Sequence, residues 1–167
     1  MRNRGFTLSE LLVAVAITAL LLALAAPGFA RQRGTAALRG ASNQTLAALQ
    51  LARRLALARG QSVTVCPSAD GVDCGFDGNQ WLLFVNAAGG TDARRDAADE
   101  LLQRWTVPAG VVVSGTRGYA AFQPRPGAAM TVTFEFCHRA APAMLAIVVS
   151  QSGRPRVSRH GGACAAH

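Results

Sequence analysis

Arg154 and Arg156 stand two residues apart near the C-terminus, in the run Gly153-Arg154-Pro155-Arg156, and Arg159 follows. In extended backbone residues i and i+2 project to the same side, about 6.5 Å apart. That separation is comparable to adjacent phosphates along one nucleic-acid strand. Guanidinium groups suit phosphate oxygens because they donate in a planar fork. Pro155 fixes the intervening φ and blocks continued pairing on one edge. No aromatic residue lies between Gly153 and His167, so base stacking from this segment is not expected. Contacts would go to phosphates, with little sequence preference and strong salt dependence. On spacing alone, the plainer reading of an exposed turn whose arginines aid solubility has the better claim.

A second chemical signal lies at the other end. Glu10 is the single interruption in an apolar stretch over residues 6–26. About 20 apolar residues suffice to cross a bilayer as a helix. Arg2 and Arg4 precede the stretch without an acid, which would keep that end cytoplasmic and export the rest. A secretory signal peptide is cut after its apolar run. Here the cut fits before it, between Gly5 and Phe6, and the apolar helix would survive. A carboxylate costs roughly 2.5–3.5 kcal/mol near the bilayer centre. Near a helix start it costs less, being close to the interface and to the positive end of the helix dipole. Glu10 is either a tolerated acid at the membrane surface or a group that needs a partner, such as the Phe6 amine of a neighbouring subunit.

The remaining reactive side chains argue against catalysis. His160 and His167 fall in a tail, and His138 directly follows Cys137. A cysteine or serine nucleophile would need a base and an orienting third group. No C-x-x-C occurs, and Cys137-His138 lacks zinc-ligand spacing. Asp70, Asp73 and Asp77 sit in a Gly-rich loop, but the Glu that ends an EF-hand loop is missing and Cys74 interrupts the pattern. The chain is expected to have no catalytic residue, no metal and no cofactor. The cysteines Cys66, Cys74, Cys137 and Cys164 are an even set in an exported domain, which favours disulfides. Three pairings exist and sequence alone does not choose. The pairing preferred is Cys66–Cys74 across a short loop and Cys137–Cys164 at the end.

The 167 residues carry 17 arginines, no lysine and 9 acids, a formal charge of +8. All acids except Glu10 and Glu135 lie between Asp70 and Glu100. From Gly110 onward six arginines face Glu135 alone. Such asymmetry raises the case for nucleic acid or an anionic membrane as partner. From charge alone, a basic solvated surface without a ligand has the better claim.

These groups need elements to hold them. After Pro27 a helical stripe resumes through Ala41, Thr45, Ala48, Leu49, Ala52, Leu55 and Ala56, with Asn43, Gln50, Arg53 and Arg54 off it. Gly60 follows as a stop. One helix over 6–59 is expected, weakened at Gly34 and Gly40 and kinked at Pro27. Strand patterns follow over 62–66, 81–85, 101–107, 111–114, 119–122, 130–136 and 144–150. The fold class is α+β, a long N-terminal helix packed on an antiparallel β-sheet domain. The divisions are a leader over 1–5, a membrane segment over 6–27, an amphipathic half-helix over 28–60, and a β domain with a basic tail over 61–167.

Gly5, Phe6, Thr7, Leu8 and Glu10 resemble the prepilin-peptidase site of type IV pilins and pseudopilins. The strand pattern extends the resemblance over nearly the whole chain. Val63-Thr-Val-Cys-Pro follows the helix, then Trp81-Leu-Leu-Phe-Val-Asn, Phe134-Glu-Phe-Cys, and Ile147-Val-Val-Ser-Gln-Ser-Gly-Arg-Pro-Arg. In this it is similar to the GspH/FimT family of minor pilins and type II secretion pseudopilins. The resemblance implies cleavage by prepilin peptidase and N-terminal methylation. It implies a single inner-membrane span with a periplasmic domain, and assembly with other pilin or pseudopilin subunits. Gly153, Arg154 and Arg156, with Arg159 nearby, match the Gly-Arg-x-Arg motif of FimT-like minor pilins that bind DNA in natural transformation. The alternative it leaves is a GspH-type pseudopilin of a type II secretion system with no DNA binding.

Overall fold

The computed structural model describes residues 7–87, 90, 92–125, 127, 129–160 and 164. Helix α1 (Leu8–Arg59) opens the fold. Thr7 starts it with a capping box. Its hydroxyl accepts from the Glu10 N–H at 3.3 Å, and the Thr7 N–H donates to Glu10 Oε2 at 2.9 Å, so two otherwise orphaned amides are satisfied. Gly60 ends it at φ 68°, its N–H donating to the Ala56 carbonyl. No single helix among the described residues is long and apolar enough to cross a membrane. The bent pair Leu8–Leu24 and Gly28–Arg59, meeting at 41°, passes on length and composition. Pro27, which cannot donate an intrahelical bond, lies in the intervening stretch.

The two halves of α1 differ in what covers them. Leu8, Leu11, Leu12, Val13, Ile17 and Leu20 are exposed. Leu38, Ala41, Thr45, Ala48, Leu49, Ala52 and Ala56 are buried. Most of the buried stripe is alanine, and short side chains let the helix approach the strands closely.

Among the described residues eight strands follow, all paired antiparallel, in two sheets. The first has the order β3 (Glu100–Thr106), β2 (Gln80–Val85), β1 (Val63–Ser68), β5 (Ala120–Phe122). The second runs β4 (Val111–Gly115), β6 (Val132–His138), β7 (Met144–Val149), β8 (Pro155–His160). This is the expected α+β architecture, with the sheet divided in two. Helix α1 packs on strands of both sheets. Aromatic rings join the sheets. Trp81 pairs with Trp105 across β2 and β3, their rings stacked at 5.8 Å, and Trp81 meets Phe134 of β6 edge-on at 5.1 Å. Such pairs contribute about 0.5–1.5 kcal/mol beyond the area they bury.

Strand β8 departs from the sequence reading. Residues 155–160, expected in a basic tail, pair with β7 over their whole length, Val148 opposite Arg156 and Leu145 opposite Arg159. Pro155 forms the first residue of an edge strand, where a missing N–H is tolerated. His160, assigned to the tail, ends this strand opposite Met144; His167 lies outside the described residues. The helix also runs unbroken through Gly34 and Gly40. Gly34 has a packing role: a Cβ there would lie 2.7 Å from His138 Nδ1. Gly110, on the opposite approach to that ring, would meet His138 Nε2 at 2.7 Å.

Replacing Gly34 by leucine should therefore force the His138 ring from its slot and destabilise the domain by about 1–3 kcal/mol, the usual cost of overpacking. Gly40 has nothing within 4 Å of its would-be Cβ. Gly40→Ala should instead stabilise by up to about 1 kcal/mol through helix propensity. Thermal melts of the two variants should move in opposite directions.

Candidate functional site

The β7–β8 hairpin presents the terminal arginines. Gln151, Ser152 and Gly153 form its three-residue loop. The Gly153 N–H donates to the Ser150 carbonyl at 2.8 Å, and the Ser150 N–H donates to the Arg154 carbonyl at 3.4 Å. Gly153 is left-handed at φ 74°. A type I turn closed by a residue in that conformation is a common three-residue hairpin, and glycine fits it without strain. Arg154, Arg156 and Arg159 leave the hairpin exposed. None takes part in an ion pair among the described residues, whose pairs are Arg59–Glu100, Arg94–Asp73 and Arg94–Asp96.

The hairpin does not stand alone. It leans on the C-terminal half of α1, leaving an open cleft of about 380 Å³ lined by Gln50, Arg53, Arg54, Arg154 and Pro155. Arg53 also borders a smaller hollow with Gln123, Arg125, Ser152 and Gly153. The contact of helix and hairpin is close: a Cβ on Gly153 would lie 3.4 Å from Arg53 Nε and 3.2 Å from Ala129 Cβ. The fold thus brings Arg154 together with two helix arginines. Arg156 and Arg159, although exposed on β8, do not line this cleft. Sequence reasoning marked Arg53 and Arg54 only as residues off the apolar stripe. Their adjacency in sequence was the one available signal, and nothing local says what faces them.

In the loop after β1, backbone amides occupy Asp70. Asp70 Oδ1 accepts from the Val72 N–H at 2.8 Å, the Asp73 N–H at 2.9 Å and Ser68 Oγ at 3.1 Å. The Val72 and Asp73 amides, against partial desolvation and with a lesser part from the Ser68 hydroxyl, hold the Asp70 carboxyl below its ordinary range. Its side chain is a turn-former. Among the described residues no group of His, Cys, Asp and Glu is arranged to hold a metal ion. Cys66 is bonded to Cys74 across the same loop, and Cys137 of β6 to Cys164, each with Cα atoms 5.5 Å apart.

At the N-terminus Gly5 and Phe6 lie outside the described residues. Glu10 Oε2 accepts from both the N–H and the hydroxyl of Thr7, each at 2.9 Å. The carboxylate thus has a partner within its own helix cap.

The family model for type II transport protein GspH matches residues 41–153, and that for the prokaryotic N-terminal methylation motif matches residues 1–26. No curated protein matches. The type IV minor pilin FimU of Pseudomonas aeruginosa PAO1 has a similar solved structure, with a TM-score of 0.53 and 20% identity. The match covers 72% of this chain and 87% of that one. The minor pseudopilin EpsH of the Vibrio cholerae type 2 secretion system is similar with a TM-score of 0.50 and 11% identity, over 74% of this chain and 96% of that one. At these identities the likeness is one of fold.

A carboxyl held below its ordinary range stabilises the fold above the unfolded value, about 3.9, and loses that contribution as pH falls through the lower folded value. Asp70→Ala should therefore lower the melting temperature at neutral pH. The gap from the parent should narrow below about pH 4 and close once the parent carboxyl is protonated. Melts across pH 2–7 check this.

Proposed function

The chain belongs to the GspH family, and from that footing we propose that it is a minor pilin of the FimT kind that binds DNA non-specifically through its C-terminal arginines. Prepilin peptidase cleaves it after Gly5, and Phe6 becomes the mature, methylated N-terminus. Residues 6–27 anchor it in the inner membrane with the β domain in the periplasm. Exposed leucines and valines on the first half of α1 fit either lipid or neighbouring helices. The subunit then joins other pilins in a pilus or its priming complex, and takes up extracellular DNA for natural transformation.

What supports the DNA reading is the state of Arg154 and Arg156. Both are exposed, carry no acidic partner among the described residues, and leave a rigid hairpin rather than a loose end. Arg159 adds charge farther along the same strand. A structural reading stands beside it: a GspH-type pseudopilin of a type II secretion system that binds no DNA. The match to the model for type II transport protein GspH favours that reading as much.

Replacing Arg154 and Arg156 together by alanine should weaken DNA binding by the full-length protein in detergent without lowering its melting temperature. The slope of log K against log salt should shrink by roughly 0.9 per lost phosphate contact on duplex DNA, equally for unrelated sequences. Unchanged affinity and slope would leave the pseudopilin reading in front.

The N-terminus supplies a separate test. A bulky residue in place of Gly5 should leave uncleaved precursor in the inner membrane. Glu10→Ala should insert and mature but enter filaments poorly, because the proposed pairing with the Phe6 amine of a neighbour is lost. Wild-type incorporation of Glu10→Ala counts against that pairing.

A further inference from the structure

We propose that the cleft between α1 and the β7–β8 hairpin is a two-walled clamp for a phosphodiester backbone. Arg53 and Arg54 on the helix form one wall and Arg154 the other. The inference rests on the DNA reading above and adds residues and a shape to it. Arg53, Arg54 and Arg154 line one open cleft of about 380 Å³ whose lining holds no acid. Among the described residues none of the three is in an ion pair, although Arg59 on the same helix pairs with Glu100. Like charges gathered without a counter-charge repel, and an anion entering the cleft removes that repulsion. Gln50 adds an amide that can donate to a phosphate oxygen, and Pro155 gives a stiff rim.

Arg53 is the pivot of the arrangement. It is half-buried where Arg54 is exposed, and a Cβ added to Gly153 would lie 3.4 Å from its Nε. Packing against the hairpin narrows the side chain's freedom before a ligand arrives, which lowers the ordering cost of binding. Arg53 also borders the second hollow, which carries Arg125. Positive charge therefore runs from Arg154 across the helix face to Arg125, a track for successive phosphates rather than a pocket for one. Gly153 has two roles in this. Its left-handed φ turns the hairpin, and its missing side chain lets helix and hairpin close to contact distance around Arg53.

Geometry also selects nucleic acid over the membrane that anchors the chain. With residues 6–27 in the bilayer, Arg53 lies 26 residues farther along α1. That is about 39 Å of helix, which the 41° bend shortens in height by about a quarter. Lipid headgroups occupy only about 5–8 Å on each side of the hydrocarbon. An anion reaching this cleft comes from the periplasmic or outer side.

The test uses full-length protein in detergent and fluorescent 20-nucleotide DNA, single-stranded and duplex, titrated at several salt concentrations. Arg53→Gln, Arg54→Gln and Arg154→Gln should each weaken binding about five- to tenfold at 0.1 M salt and reduce the salt slope by roughly 0.7 on single strands or 0.9 on duplex. Arg139→Gln, on an exposed turn after β6, should change neither. Arg53→Lys keeps the charge, so it should retain the slope while losing the fork's affinity. If Arg53→Lys loses slope as Arg53→Gln does, Arg53 acts through packing and the clamp is overturned. If Arg53→Gln and Arg54→Gln bind as the parent does while Arg154→Ala with Arg156→Ala does not, the terminal arginines act alone; the DNA reading stands and the clamp falls. If no variant changes DNA binding, both fall. A parallel arm with phosphatidylglycerol vesicles, each exposing its outer face, separates a headgroup site. Vesicle binding lost in Arg53→Gln, with no DNA binding by the parent, overturns the proposal in favour of lipid.

Discussion

One packing constraint governs this molecule: a single helix must lie close enough to touch two sheets at once. Helix α1 reaches strands of both, and it does so along a stripe in which Ala41, Ala48, Ala52 and Ala56 are almost wholly buried. Larger side chains there would lift the helix from the strands and open the core at the point where Trp81 and Phe134 bridge the sheets. Gly34 carries the same demand further along, since even a methyl group would strike the His138 ring. Leu38 and Leu49 fill the gaps that the small residues leave. The depth of the helix in its seat, more than any one strong contact, sets where everything on its surface ends up.

That depth explains why the arginine cleft exists. Residues one position past the buried stripe come to lie at the rim where helix meets sheet. Arg53 follows Ala52, which is fully buried, and so its stem lies along the edge of the hairpin while its head remains reachable. A helix standing farther off would leave Arg53 and Arg154 as separate surface charges. The cleft is thus a by-product of core packing that brings together residues about a hundred positions apart.

Much of the fold could be read from residue order. The three- and four-residue spacing of alanines, and the alternating strands with Gly and Asp between them, are local signals, and they mark local structure. The reading failed where the deciding partner was distant. Residues 155–160 look like a tail because Pro155 is a poor strand former and Arg156 and Arg159 make the stretch polar, yet the free edge of β7 recruits them. Gly34 looks like a weak point in a helix until His138 arrives from 104 residues away. The candidate site divides in the same way. Arg154 and Arg156 stood out by spacing, whereas Arg53 and Arg54 carry no local mark. The acids of the 70–77 loop suggested a metal faintly, and the backbone amides that occupy Asp70 could not be seen without the turn itself.

Among the described residues strand β8 is an open sheet edge, with unpaired backbone groups along one side. Such edges are templates on which two copies of a protein can fuse their sheets, a hazard that grows when copies are held at high local concentration. Here the edge begins with proline, which offers no donor, and continues with Arg156 and Arg159 exposed along it. A second copy approaching edge to edge would meet its own charges. Pro155, Arg156 and Arg159 thereby disfavour fusion of two such edges into one continuous sheet.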